Sequence, residues 1–286
     1  EYIFSSWYMP IFDEEEIKKA FPSLKAVFYA AGTVKYFAEP FLSLGIRVFS
    51  AAKANGISVA EYTVAQILLA NKGFFQAQRS CKSFLWRFAF RKAKKYTDNR
   101  QGNYAAKVGL IGCGAVGSQV VRFLKSYDIE IMVYDPFLSA ERCAELGVEQ
   151  VDLVTLFESC DVISNHLPDI QNTKNIINYA LLSKMKDYST FINTGRGAQV
   201  VESDLAKVLR KRPSICAVLD VTQHEPPFPW SPLLRRGNVF LSPHIAGSTG
   251  NEVLRMVEYA LQAYDDIIEG RLNNNEVTLG LLDKMA

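Results

Sequence analysis

This 286-residue chain is sparing with cysteine, histidine, long apolar runs and charge of one sign, and each scarcity excludes something. The five cysteines, Cys81, Cys113, Cys143, Cys160 and Cys216, are odd in number and show no CxxC spacing, so neither a disulfide scaffold nor a metal site is expected. They read as reduced, mostly buried thiols in a reducing compartment, which points to the cytoplasm. Histidine occurs only at His166, His224 and His244, so any chemistry that needs an imidazole has three candidates. No apolar run approaches the roughly 20 residues that a membrane helix requires, and no signal-peptide pattern opens the chain. Thirty-two basic and 30 acidic residues leave a net charge of +2, which gives no global reason to expect nucleic acid or a membrane as a partner. The chain opens without Met, in the strand-like EYIFSSWYM, so an upstream segment is expected to be absent and the first domain incomplete.

What is present is an ordinary globular mixture, 49% hydrophobic and 22% charged, at a length that suits two domains. The first fifty residues alternate strand and helix: strand 1–8, helix 13–20, strand 25–30, a small-residue turn AAGT, helix 35–43 and strand 46–50. That rhythm predicts a parallel sheet with crossover helices. A largely apolar helix is expected from Val59 to Phe75, buried between domains or subunits. A basic, aromatic stretch follows at 79–96, RSCKSFLWRFAFRKAKKY, which reads as a solvated arm of snorkelling Lys and Arg or, alternatively, as a surface for an anion or a partner. From Lys107 the rhythm resumes, with strands expected at 107–111, 130–134, 161–165, 189–193, 215–219 and 238–241. A helix at 250–269 then leads away, and EVTLGLL returns to the first domain. The expected division is 1–78 plus 258–286 for one domain and 79–257 for a second inserted into it, an α/β fold throughout.

Residues 107–135, KVGLIGCGAVGSQVVRFLKSYDIEIMVYD, carry the most specific signal. An apolar strand runs into Gly112-x-Gly114-x-x-Gly117, a helix begins at once, and a second apolar strand ends on Asp135. Gly112 permits the tight turn, Gly114 lets the backbone approach a pyrophosphate, and Gly117 allows close helix–strand packing. The unpaired N–H groups of the helix start, around Ala115 and Val116, suit the phosphates. Asp135, followed by Pro136, is placed to accept hydrogen bonds from the adenosine ribose and to repel a 2′-phosphate, so NAD is expected rather than NADP.

Three later segments each place a polar group just past a strand end: FINTGRGAQV with Arg196, AVLDVTQHEP with Asp220 and Glu225, and VFLSPHIAGST with His244. Taken singly, each has a plain structural explanation. Together with GCGAVG, YDP and the SNHLP turn, in this order over nearly the whole chain, they resemble the D-isomer-specific 2-hydroxyacid dehydrogenase family. The resemblance implies a doubly wound, Rossmann-type NAD-binding domain inserted into a smaller flavodoxin-like substrate domain, with the active site in the cleft between them. It also implies a homodimer with helix 59–75 at the interface.

On that reading the chain moves a hydride between NAD(H) and a small 2-hydroxy or 2-keto acid, with glyoxylate, hydroxypyruvate or a 3-phosphoglycerate-like acid as candidates. His244 would deliver or remove the proton, a role suited to imidazole. His166 reads instead as a backbone-organising residue and His224 as a solvent-facing one. Glu225 would orient the ring and stabilise the imidazolium, and Arg196 would hold the substrate carboxylate with a planar charged fork. By resemblance, Leu167, Pro168, Thr194, Gly195, Asp220 and Gly247 would line the nicotinamide end, and the turn at Ala31, Gly32 and Thr33 would meet the substrate carboxylate. Some details depart from the family pattern: Asp169 follows Pro168 where Thr is usual, Gly195 stands where Ala or Ser is common, and VTQHEPPFPWSPL is rich in Pro and aromatic residues. A rival from another class is an NAD(H)-sensing, corepressor-like binding protein on the same scaffold.

Overall fold

A computed structural model describes residues 1–81 and 86–282, and the side chains of 86 and 87 are outside that description. The chain divides into two compact units, 1–59 with 247–286 and 60–246, so the second is inserted into the first. These limits fall 19 residues before the expected first boundary and 11 before the second. The reason lies in the long helix of the first crossover, whose later residues Ala60, Val64, Ile67 and Ala70 pack with Val108, Leu110 and Val120 of the inserted unit.

In the smaller unit, β1 (Tyr2–Ser5), α1 (Glu14–Ala20), β2 (Ala26–Tyr29), α2 (Ala38–Ser43) and β3 (Arg47–Ser50) follow one another as the sequence predicts. α1 starts at a capping box in which Asp13 and Glu16 each accept the other's backbone N–H. α3 (Ala52–Asn71) then begins seven residues earlier than expected and stops two residues before Gly73, whose φ of +70° turns the chain. α4 (Phe74–Cys81) and α5 (Trp86–Asp98) pack as a pair, with Ala89 and Ala93 buried and Phe88 and Phe90 exposed. Most of the basic stretch therefore lies on these two helices. Lys82 falls outside the described residues.

The inserted unit continues with β4 (Ala106–Ile111), α6 (Ala115–Leu124), β5 (Ile129–Tyr134), α7 (Ala140–Leu146), β6 (Glu149–Gln150), α8 (Leu153–Ser159), β7 (Val162–Asn165), α9 (Tyr179–Leu182), β8 (Thr190–Asn193), α10 (Glu202–Lys211), β9 (Cys216–Leu219) and β10 (Val239–Leu241). Its seven strands are all parallel in the order β10-β9-β8-β7-β4-β5-β6. β7, β8 and β9 are buried along their whole length, as expected for strands covered on both faces. Chain order reverses between β4 and β7, and in such sheets ligands bind outside the carboxyl ends of the strands at that point.

The chain then returns through α11 (Glu252–Ile268) to the smaller unit, where β11 (Glu276–Val277) pairs antiparallel with β3 and α12 (Leu279–Leu282) follows. The smaller sheet runs β1-β2-β3-β11. Ala260 and Ala263 of α11 cover Ala26, Phe28 and Phe49 on one face, while Ile17, Phe37 and Phe41 pack with Val27 and Val48 in a separate cluster. Among the described residues no helix is long and apolar enough to cross a membrane, and no cluster of His, Cys, Asp or Glu is arranged to hold a metal ion.

Candidate active site

The glycine turn sits at the reversal point. Gly112 has φ +93°, and a Cβ there would stand 2.9 Å from the His166 carbonyl oxygen, so both conformation and space require glycine. A Cβ on Gly117 would meet the Gly112 carbonyl oxygen at 2.2 Å, so α6 packs directly against the turn. Gly114, by contrast, is open, with nothing within 4 Å of a Cβ position. It caps α6 without any side-chain hydrogen bond, which leaves the first N–H groups of the helix unclaimed by a capping side chain. A tight turn, an open middle glycine and an uncapped helix start fit a dinucleotide pyrophosphate. Asp135, at the end of β5, accepts from Cys113 N–H at 2.8 Å and Phe137 N–H at 2.9 Å, which fixes the carboxylate beside the turn.

The carboxyl ends of β7 and β8 are joined by buried amides. Asn165 Nδ2 donates to Asn193 Oδ1 at 2.9 Å and to Gln199 Oε1 at 2.5 Å. Gln199 Nε2 donates to the carbonyls of Leu167 (2.7 Å) and Pro168 (2.9 Å), and Asn193 Oδ1 accepts from Gly195 N–H. Arg196 is gripped at both backbone ends: its N–H donates to Gln199 and its carbonyl accepts from Asn193. All three amide side chains are buried, so the strand-end loops are rigid platforms. The Arg196 guanidinium donates to the Gly195 carbonyl at 2.9 Å and pairs with no carboxylate among the described residues. It is thus available to an anionic ligand.

Thr194 and the 166–168 turn are linked as well. Thr194 Oγ1 lies 3.1 Å from Thr63 Oγ1 and 3.4 Å from His166 Nδ1, and His166 Nε2 lies 3.0 Å from Ser164 Oγ. Burial pushes the His166 imidazole down from its ordinary 6.5 to about 4. The folded state therefore holds this ring neutral while the unfolded chain protonates it near 6.5. Its contribution to stability is intact above pH 6.5 and is lost as pH falls towards 4, to the extent of about 3 kcal/mol. Urea titrations between pH 4 and 7 should show His166→Gln losing less stability on acidification than the unchanged chain.

His244 follows β10 and takes φ +55°, a conformation uncommon outside glycine. Its Nδ1 is 2.7 Å from Glu225 Oε2, and both side chains are roughly half exposed, so the pair is open to a ligand. The other Glu225 oxygen accepts from Thr222 N–H at 3.2 Å, which steadies the carboxylate. The Glu225 loop and the Arg196 loop meet at Gly197, where a Cβ would come within 2.0 Å of the Thr222 carbonyl carbon. Asp220, expected near the nicotinamide, is buried and is engaged in building this turn: its carboxylate accepts the Ile245 and Ala246 N–H groups and the Ser242 hydroxyl. His224 lies exposed with its ring on Phe228, centroids 4.4 Å apart.

In the smaller unit, the turn at Ala31, Gly32 and Thr33 follows β2 and is held by Ser50 Oγ, which donates to the Gly32 carbonyl at 2.6 Å. Gly247 lies against Asn55, where a Cβ would meet Oδ1 at 3.0 Å. The amide cluster and the Asp220 contacts carry no signal in a single sequence, because their partners are 22 to 34 residues apart.

A switch-point glycine turn, with Arg, Glu and His side chains past neighbouring strand ends, defines a dinucleotide-binding α/β architecture. Residues 64–246 match the family model described as D-isomer specific 2-hydroxyacid dehydrogenase, NAD binding domain, and the chain belongs to that family. It is 36% identical over 235 residues to the D-3-phosphoglycerate dehydrogenase of Archaeoglobus fulgidus, covering 82% of this chain and 43% of that protein. It is 31% identical over 265 residues to the glyoxylate reductase of Thermofilum pendens, covering 91% of this chain and 76% of that protein. The chain spans about two fifths of the length of the curated D-3-phosphoglycerate dehydrogenases it matches. Among solved structures, the apo D-mandelate dehydrogenase of Rhodotorula graminis shares its fold with TM-score 0.82 at 21% identity, over 97% of this chain and 83% of that one.

Proposed function

We propose that this protein is an NAD-dependent D-2-hydroxyacid dehydrogenase that works mainly as a reductase of small 2-keto acids. The observation that carries the reading is the 2.7 Å contact between His244 Nδ1 and Glu225 Oε2 in the unit that also bears the glycine turn and an Arg196 that pairs with no carboxylate among the described residues. Bound NADH would supply the hydride. Glu225 holds the ring through Nδ1 and leaves Nε2 to give a proton to the oxygen of the reduced carbonyl. Arg196 binds the substrate carboxylate and polarises the keto oxygen with its planar fork. The remaining assignments are Gly112, Gly114, Ala115, Val116, Gly117, Asp135 and Pro136 for the adenosine and pyrophosphate. Leu167, Pro168, Thr194, Gly195, Asp220 and Gly247 are assigned to the nicotinamide end, and Ala31, Gly32 and Thr33 to the substrate.

Glyoxylate, hydroxypyruvate and 3-phosphoglycerate-like acids are the proposed substrates, supported by similarity to relatives named glyoxylate reductase and D-3-phosphoglycerate dehydrogenase. A cytoplasmic homodimer built through α3 completes the reading. The dimer is supported by an open groove of about 440 Å³ between α3 and α6, where Val64, Leu68, Phe123 and Tyr127 line the surface beside Glu61 and Arg122.

The test is NADH oxidation with a panel of 2-keto acids. Turnover of one or more acids is expected, whereas tight NADH binding with every acid inert would favour the NAD(H)-sensing, corepressor-like reading. Cofactor choice is tested separately. Asp135→Ser should raise the NADPH to NADH ratio of kcat/KM by about tenfold or more, since it removes a carboxylate that repels a 2′-phosphate. Equal use of both cofactors by the unchanged chain would defeat the role given to Asp135.

A further inference from the structure

The turn that carries His244 is held by a line of hydroxyls that begins on α3. His244 sits in the left-handed region, which a non-glycine residue keeps only when its surroundings over-determine it. Here Asp220 does so with three consecutive amides: its carbonyl accepts His244 N–H at 2.9 Å, Oδ1 accepts Ile245 N–H at 2.9 Å, and Oδ2 accepts Ala246 N–H at 2.8 Å. Ser242 Oγ also lies 2.7 Å from Asp220 Oδ1 and 2.7 Å from the Tyr62 hydroxyl.

Proton counting fixes the direction of this line. Both Asp220 oxygens accept amide protons and Ser242 Oγ donates to Oδ1, so the single Ser242 proton is spent there and the Tyr62 phenol must donate to Ser242. Burial pushes the Tyr62 phenol up, which keeps it a donor. The line therefore runs from Tyr62 to Ser242 to Asp220, and from there into the backbone on both sides of the imidazole.

We propose that Tyr62 and Ser242 are positioning residues for proton transfer: they hold the Asp220 carboxylate against the 245–246 amides and so keep His244 aimed at Glu225. This inference rests on the reading of His244 as the proton donor. Neither hydroxyl touches the reacting atoms in this arrangement. Their effect is on the orientation of the ring.

The experiment compares the unchanged chain with Ser242→Ala, Ser242→Thr and Tyr62→Phe. It reads kcat and KM for a reducible 2-keto acid, Kd for NADH, and hydrogen exchange of the segment holding Ile245 and Ala246. Ser242→Ala should lower kcat about tenfold and Tyr62→Phe about threefold, the scale of one lost hydrogen bond, with KM and Kd within about twofold. Exchange at 245–246 should quicken in both, and Ser242→Thr should restore both readings. Unchanged kcat with unchanged exchange, or a fall in kcat matched by an equal loss of NADH binding, would overturn the proposal. Tyr62→Phe keeps the test decisive should Ser242→Ala fold poorly. If no 2-keto acid is turned over, the dehydrogenase reading fails by itself. Exchange at 245–246 then still decides whether the hydroxyl line holds the turn.

Discussion

His244→Ala should lower kcat for 2-keto acid reduction by about 100- to 10,000-fold, the range that a positioned general acid contributes. The imidazole is held at 2.7 Å from Glu225, and among the described residues no second histidine is bound to that carboxylate, so water would have to supply the proton. The fold should tolerate the change. His244 and Glu225 are both roughly half exposed, so the carboxylate left behind stays hydrated. NADH affinity, followed by its fluorescence, should be unaltered because the glycine turn and Asp135 are untouched. Glu225→Gln should fall between the two, since it keeps a hydrogen-bonding group at the ring but removes the carboxylate charge. Turnover of the alanine variant within a few-fold of normal would remove His244 from the reaction.

Arg196→Ala should cost about 100- to 10,000-fold in kcat/KM, which corresponds to losing two charge-assisted hydrogen bonds at about 1.5–3 kcal/mol each. The effect should be purely on the ligand. The guanidinium is not part of the buried amide scaffold, which grips only its backbone, so thermal stability should change little. Arg196→Lys should recover only part of the loss, because an ammonium keeps the charge but not the planar fork. Steady-state kinetics against acid concentration, with NADH saturating, separates these cases. A lysine variant as active as the parent would mean that the substrate carboxylate is not bound bidentately.

The parts of this molecule legible from sequence are those whose cause is local. The glycine turn is readable because each glycine answers a backbone demand within a few residues, and β4, β7, β8 and β9 because a strand covered on both faces is largely apolar. That Arg196, Glu225 and His244 follow the ends of β8, β9 and β10 is likewise legible from their order along the chain.

Other features answer to partners far away. β6 is two exposed polar residues, Glu149 and Gln150, that become a strand only by pairing with Met132 and Val133. α3 runs back through Asn55 and Gly56, residues that locally suggest a break. Its later half packs into the inserted unit, which is why the division falls near residue 60 and not near 79. Asn165, Asn193 and Gln199 are each unremarkable alone and make a scaffold only when buried together.

The absence of a side chain at Gly197 has a mechanical consequence. With backbone pressed on backbone at Thr222, the segment proposed to anchor a carboxylate and the segment proposed to steady the proton donor are in direct contact. Neither can swing without dragging its companion. Whatever motion accompanies ligand capture, the grip on the acid and the supply of the proton should therefore arrive together.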